Sequence, residues 1–508
     1  MLPRSTLVLL VISVVIRGLT LSEPIIDGMH LRQTQTADAI ASMQREGGFP
    51  LSAEASWRGD LKARVAQEFP IYNHVSLLLV RAGLPIPMAG KIVSLILWVL
   101  AFLALQAVWP HFLSRQEAFW ANLLFVASPL SVFFGQAVMP ESLVLLLTFG
   151  FLALWLRHLK TGSSLALWLA AGVACLGLLV KLPAFFYVGV FAGLTLIATG
   201  QWRRLLNFQY LLIAILLGVA VKFWMDFANE VTMEHFARWS ASKNVAQFIG
   251  PLSERISPAF WARITAYNFF LVATPLPFLL CLAANAGRRP GDAPPDRAIL
   301  LGCYWASVLA FVLVFGPHTA SNHSYYNFPM LVPLAALFGI AAVKIPEWIA
   351  ARFGGKFRNA ARAAVFLAVI PGTVPFTLHL YGRDNVTYEV ALWIKENTTP
   401  DQLTVVRLVN SGPTPDVPTV SFYAERRLWI WSPYMTDAER DRALATSDFA
   451  ILSKPPADTR NSVVRFWHRF RGFRDPEPER GFPPPGDFVP LADFPNFTVF
   501  KKQKPASD

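Results

Sequence analysis

Apolar runs of about 20 residues, the length a helix needs to cross a bilayer's hydrocarbon core, recur from the N-terminus to about residue 380 and then stop. They place spans near 4–21, 88–109, 118–138, 140–156, 164–181, 183–200, 205–225, 264–285, 298–316, 325–343 and 363–380. Lipid offers the backbone no hydrogen-bond partners, so an open sheet cannot cross it and each span is expected to be helical. The pattern predicts a polytopic α-helical membrane protein with about eleven transmembrane helices, divided between 164 and 200 at Lys181-Leu-Pro183. Two polar stretches interrupt this pattern. In loop 22–87, the segment His30–Arg45 is expected to place Leu31, Ile40 and Met43 on one apolar face. Residues 71–83 are amphipathic too, and both read as interfacial helices lying along the membrane. The tail predicts a helix at 386–397, strands at 403–409 and 419–423, a helix at 436–446, and strands at 448–453 and 497–501. That is a small α/β domain over 381–508, with Pro-rich stretches at 411–418 and 475–490, following a membrane module over 1–380.

Composition strengthens this picture and charge orients it. The 508 residues are 54% hydrophobic and 15% charged, with a mean hydropathy of +0.42, where a soluble protein carries roughly a quarter charged residues. The net charge of +12 is concentrated in short loops: Arg157/Lys160, Arg203/Arg204, Arg288/Arg289/Arg297, and Lys344 to Arg362. By the positive-inside bias these loops are cytoplasmic, as is the N-terminus, which leaves loop 22–87 and the tail outside. No basic stripe suited to nucleic acid is present. Cys175, Cys281 and Cys303 fall within apolar spans, where they read as packing residues rather than a disulfide or zinc framework. The segment 4–21 contains Arg17 and lacks a small-x-small cleavage site, so a retained signal anchor is expected. No Walker loop, G-x-G-x-x-G or H-E-x-x-H occurs, and ATP hydrolysis and dinucleotide chemistry have no support.

The expected topology brings unusual residues to one membrane face. Asp27, His30, Arg32, Gln33 and Asp38 follow the first span, Glu68, Tyr72 and His74 lie later in the same loop, and Glu141 opens an apolar helix after Pro140. His323, Tyr325 and Tyr326 lie in an outer loop, Pro317–Asn327, and Arg17, Lys91, Lys181 and Lys222 each end a hydrophobic segment on the outer side. Taken singly, each has an ordinary account: snorkelling for the cations, helix capping for Asp27 and Glu141, a solvated helix position for Asp38, and an aromatic belt for the tyrosines. Together, four cations beside several acids point to a polar cavity that binds a phosphate-bearing ligand. The acids and histidines show no convincing metal-ligand spacing.

Asp27…His30-x-Arg32-Gln33-Thr, Glu68-Phe-Pro-x-Tyr, Met139-Pro-Glu-Ser and Asn322-His-Ser-Tyr-Tyr resemble motifs of bacterial GT-C glycosyltransferases. The branch is the family 39-like one, related to protein O-mannosyltransferases and the lipid A aminoarabinose transferase. The resemblance covers roughly 5–345, and the tail is similar only through Ser421-Phe-Tyr-Ala-Glu-Arg-Arg. It implies a GT-C fold in the bacterial inner membrane with a periplasmic tail. It also implies inverting transfer of a sugar from a polyprenyl-phosphate donor to an envelope glycan, glycolipid or protein, without a required cofactor or metal. On this resemblance Asp27 would be the catalytic carboxylate and Lys181 would bind the lipid phosphate, with Arg17, Lys91 and Lys222 as candidate further phosphate contacts. His30 and Arg32 would orient Asp27 or the acceptor, and Tyr325 and Tyr326 would cover the sugar or phosphate. Relatives usually carry Asp where Glu141 stands, and a second acid where Gly28 follows Asp27. Two rival classes remain: a transporter or flippase of lipid-linked glycans, although no internal repeat is visible, and a non-catalytic envelope-assembly subunit.

Overall fold

The computed structural model describes residues 3–235, 249–286, 295–316, 323–408, 418–431, 435–454, 482 and 488–503. Loop residues 317–322 and most of the two Pro-rich stretches lie outside that set. Helices dominate up to Leu380, and the protein is a multi-pass membrane protein. Among the described residues seven helices are long and apolar enough to cross a membrane, or eight if the pair Pro258–Val272 and Pro275–Ala283, bent by 111°, counts as one span. The difference from the expected eleven has three local causes. The first span forms a helix, α1, of only 15 residues, Arg4–Gly18. The second cause lies in 118–138, which is not one helix but α5 (Arg115–Ala127) and α6 (Pro129–Phe134). Pro129 lacks an N–H and drives Ser128 into an extended conformation, which breaks the helix.

The third cause is α8, Ser164–Ala198, a continuous run of 35 residues in which Lys181 is non-helical. Its contacts with α7 (Glu141–Thr161) show that the chain reverses at that point. Lys181 meets Glu141 at one end of α7. At the other end His158 bonds the Ser163 carbonyl at 2.8 Å and Trp155 donates to Thr195 Oγ1 at 2.9 Å. Both ends of α8 therefore lie together, and Lys181 forms the tip of a helical hairpin.

Helix Phe328–Phe353 is the central post, with 83% of its spanning window buried, whereas the window in α9 (Phe208–His235) is only 11% buried and presents an apolar surface to lipid. Loop 22–87 folds over one end of the bundle as α2 (His30–Glu46), the short hairpin β1–β2 (Ala53–Glu54, Arg64–Val65) and α3 (Ile71–Arg81), before α4 (Ile86–Val108) enters the membrane. The expectation of a single apolar face on α2 is wrong. Leu31 packs into the core of the tail domain, while Ile40 and Met43 pack against Leu77 and Val80 of α3. Nine residues at about 100° each turn through two and a half revolutions, so Leu31 and Ile40 must face opposite ways. Layers cover α2 on both sides, and it does not lie at a lipid surface.

The tail forms one five-stranded sheet in the order β4-β3-β5-β7-β6: β3 Thr404–Arg407, β4 Trp429–Ile430, β5 Phe449–Ser453, β6 Phe488–Asp493 and β7 Phe497–Lys502. β3 runs parallel to β4 and β5, and β7 is antiparallel to β5 and β6. Helices Asn385–Asn397 and Asp437–Thr446 form as expected. The expected strand 419–423 is instead the helix Pro418–Ala424. Its β-branched and aromatic residues favour a strand locally. However, Pro418 presets the first helical φ, and Val420 and Ala424 bury completely in the tail core.

Candidate active site at the rim of the helical bundle

The site assembles where α2, the segment before α3, the start of α7, the tip of α8 and the turn Ser324–Asn327 converge. Lys181 donates to Glu141 in an ion pair whose side chains are 6% and 4% exposed. The Lys181 ammonium lies 4.1 Å from the ring centre of Tyr325 and 5.3 Å from that of Tyr326, an arrangement that holds a cation by ring quadrupoles where water is excluded. Tyr325 Oη shares a 2.8 Å hydrogen bond with His323 Nδ1. One carboxylate oxygen of Glu141, Oε2, is buried without a partner. These groups head a cavity whose remaining wall is largely apolar, from Val144, Leu145 and Phe311 among others.

Arg32 and Glu68 form a second buried ion pair. Burial works to raise the Glu68 pKa, but Arg32 and Lys181 outweigh it and hold the carboxyl below its ordinary range. Arg32 lies within electrostatic reach of Tyr325 and Glu141, so the pair stands beside the Glu141–Lys181 cluster. On its other side is a cleft above the bundle, lined by α2, the β1–β2 hairpin and the chain entering α3.

Asp27 lines neither cavity. Its Oδ1 accepts from Gln33 Nε2 at 2.7 Å and from Met29 N at 3.0 Å. Gln33 Oε1 in turn accepts from Val138 N at 2.8 Å, so Asp27 is tied to the turn that delivers Glu141. Burial pushes the Asp27 carboxyl up to about 6, moderated by Gln33, Met29 and the charge of Lys91.

Several expected site residues stand elsewhere. The Arg17 guanidinium stacks over Trp98 at 3.8 Å and donates to Val126 O at 3.4 Å and Ser131 Oγ at 3.2 Å, satisfying groups at the α5–α6 break. Lys91 donates to the Thr20 and Glu23 carbonyls at 2.8 and 2.7 Å, fixing the chain that leaves α1. Lys222 pairs with Asp226 one turn along α9, and its side chain is 77% exposed. Tyr72 Oη donates to Gly90 O at 2.8 Å, joining α3 to α4. His30 contacts Asp384 at 3.3 Å and Thr419 at 3.0 Å, docking the tail onto α2, and burial lowers its pKa against the pull of Asp384. Asp38 accepts from Ser56 Oγ at 2.6 Å and Ser56 N at 3.2 Å. Two participants that sequence reasoning missed are Gln67, which accepts from Arg32 at 2.9 Å, and Asp384. Gln67 adjoins the Glu68-Phe-Pro motif, whereas Asp384 carries no local signal.

A multi-pass bundle with a buried acid–lysine pair at one rim, capped by a loop subdomain and a sheet domain, defines the class. Among solved structures, the chain is similar to ArnT from Cupriavidus metallidurans bound to undecaprenyl phosphate, at 13% identity and a TM-score of 0.61 over 97% of each chain. It is also similar to the archaeal oligosaccharyltransferase AglB from Archaeoglobus fulgidus in complex with an inhibitory peptide and a dolichol-phosphate. Here the identity is 11% and the TM-score 0.55, over 88% of this chain and 69% of that one. The apo form of the Archaeoglobus fulgidus oligosaccharyltransferase matches at 12% identity and a TM-score of 0.52, with the same coverage. No protein family and no curated protein matches the chain by sequence. The chain has the GT-C glycosyltransferase fold.

Proposed function

We propose that the protein is a membrane glycosyltransferase that moves a sugar from a polyprenyl-phosphate donor to an envelope acceptor on the non-cytoplasmic side, with inversion. The carrying observation is the Lys181–Glu141 pair under Tyr325 and Tyr326 at the head of a cavity with apolar walls. An ammonium offers three donors and Glu141 takes one, which leaves two for the oxygens of a lipid phosphate. The apolar wall suits the first isoprene units, and the tyrosine faces suit a sugar ring. As the bond between the anomeric carbon and the phosphate oxygen breaks, Lys181 stabilises the charge that develops on the leaving phosphate. This cationic head supports the reading that no resident metal is required.

The acceptor's proton needs a base. Glu68 and Glu141 are each neutralised by a cation, and both oxygens of Asp38 are taken by Ser56. Among the described residues Asp27 is in no ion pair, and it is poised at about 6, close to the ideal for a general base, so the role is assigned to it. Because Asp27 sits behind Gln33, the attacking hydroxyl has to reach past that amide. The test is transfer from a purified undecaprenyl-phosphate sugar by the detergent-solubilised chain, with and without EDTA. Transfer that survives EDTA is expected. A flippase of lipid-linked glycans would consume no donor, and that outcome would overturn the proposal.

A further inference from the structure

The lining of the upper cleft bears on acceptor chemistry, an inference that rests on the glycosyltransferase reading. Its lining carries three carboxylates, Asp38, Glu54 and Glu68, against one guanidinium, Arg32. That guanidinium is already engaged: one terminal nitrogen donates to Gln35 Oε1 at 3.1 Å and Gln67 Oε1 at 2.9 Å, and the other donates to Glu68. Glu54 is paired from behind by Arg427. A phosphate entering here would meet acids first, and the nearest cation already neutralises Glu68 and donates to Gln35 and Gln67. Desolvating a dianion against carboxylates is unfavourable. A polyhydroxyl ligand meets the opposite situation. Glu54 and Glu68 are each paired through one oxygen only and can accept from hydroxyls through the other, the half-buried Asn73 amide offers both a donor and an acceptor, and Trp57 and Met43 supply an apolar floor for the C–H face of a sugar ring.

We infer that the cleft between α2, the β1–β2 hairpin and α3 is the acceptor site, and that it takes a glycan hydroxyl on a neutral or amine-bearing sugar rather than a phosphate. The Arg32–Glu68 pair separates this site from the donor cavity. In the step, the oxygen of the acceptor hydroxyl forms a bond to the anomeric carbon while the bond from that carbon to the phosphate oxygen breaks. The electron pair leaves with the lipid phosphate, and the hydroxyl proton goes to Asp27 only after the hydroxyl has left the cleft and passed the Gln33 amide, since Asp27 lines neither cavity. The product is an O-glycoside and not a glycosyl phosphate.

The two linkages differ in acid stability, which supplies the test. The full-length chain in detergent is given a panel of tritiated undecaprenyl-phosphate hexoses and pentoses, together with a glycolipid extract of a Gram-negative envelope, either untreated or dephosphorylated with aqueous hydrogen fluoride. The expected result is label in the extract that survives mild acid, and uptake that dephosphorylation does not reduce. Label released by mild acid, uptake lost on dephosphorylation, or donor hydrolysis with nothing in the extract labelled would each overturn the inference. If donor is neither transferred nor hydrolysed, the underlying glycosyltransferase reading itself fails, so the two failures are distinguishable. Asn73→Leu is expected to raise the acceptor KM about tenfold with a smaller change in kcat, and an unchanged KM would remove the cleft from acceptor binding.

Discussion

At the scale of the residue, the site separates its acids by how each is satisfied. Lys181 and Glu141 depend on each other, so Lys181→Met leaves a buried carboxylate uncompensated and should cost about 3–5 kcal/mol of stability. The double variant Lys181→Met/Glu141→Gln should regain much of that in a thermal melt, yet still fail to bind undecaprenyl phosphate. Recovery of both properties would mean that the pair is structural only. Asp27→Asn keeps the shape and removes the base, with an expected loss in turnover of about 10²–10⁴-fold at unchanged melting temperature. Because burial pushes Asp27 up to about 6, turnover should rise with pH through about 6 and level off above it. Stability runs the other way. A carboxyl raised in the fold contributes fully below its unfolded value and loses that contribution as pH rises through about 6. A pH–rate profile that is flat between 5 and 7 would take the proton from some other group.

At the scale of the element, broken helices do much of the positioning. The Ser128–Pro129 break strips Val126 O of its helical donor, and Arg17 supplies one from α1. Arg17→Met should therefore lower the melting temperature without weakening undecaprenyl-phosphate binding, and a large affinity loss would return Arg17 to the donor site. The loop subdomain is keyed to the tail sheet at Gly59. This residue has φ of +55°, and an added Cβ would lie 2.1 Å from the Trp429 ring nitrogen. Gly59→Ala should cost about 1–3 kcal/mol and make the tail easier to cleave in limited proteolysis. The same lesson applies to α2, whose apolar residues were legible one by one, although their division between two partners followed only from the helical period.

At the scale of the whole molecule, the first loop and the tail pack against each other on one end of the bundle: Arg427 of the tail reaches Glu54, and Arg58 of the loop bridges to Trp429. Both should be on the non-cytoplasmic side. A cysteine placed at Lys395 should react with an impermeant thiol reagent in intact cells, and one at Arg203 only after permeabilisation. The reverse pattern would invert the proposed orientation. Hydropathy, which depends on transfer energies read locally along the chain, determined the membrane class, the approximate spans and, with local periodicity, most of the tail's elements. The motifs also marked Arg32, Glu68, Glu141, Tyr325 and Tyr326, and the resemblance marked Lys181; the fold brings these six together. What the sequence alone did not determine was pairing: that Arg17, Lys91 and Lys222 are committed to carbonyls or a neighbouring acid, that Pro418–Ala424 is helical, and that Asp27 stands behind Gln33. Each of these depends on which distant group fills a hydrogen bond or a volume, and only the packed tertiary structure decides that.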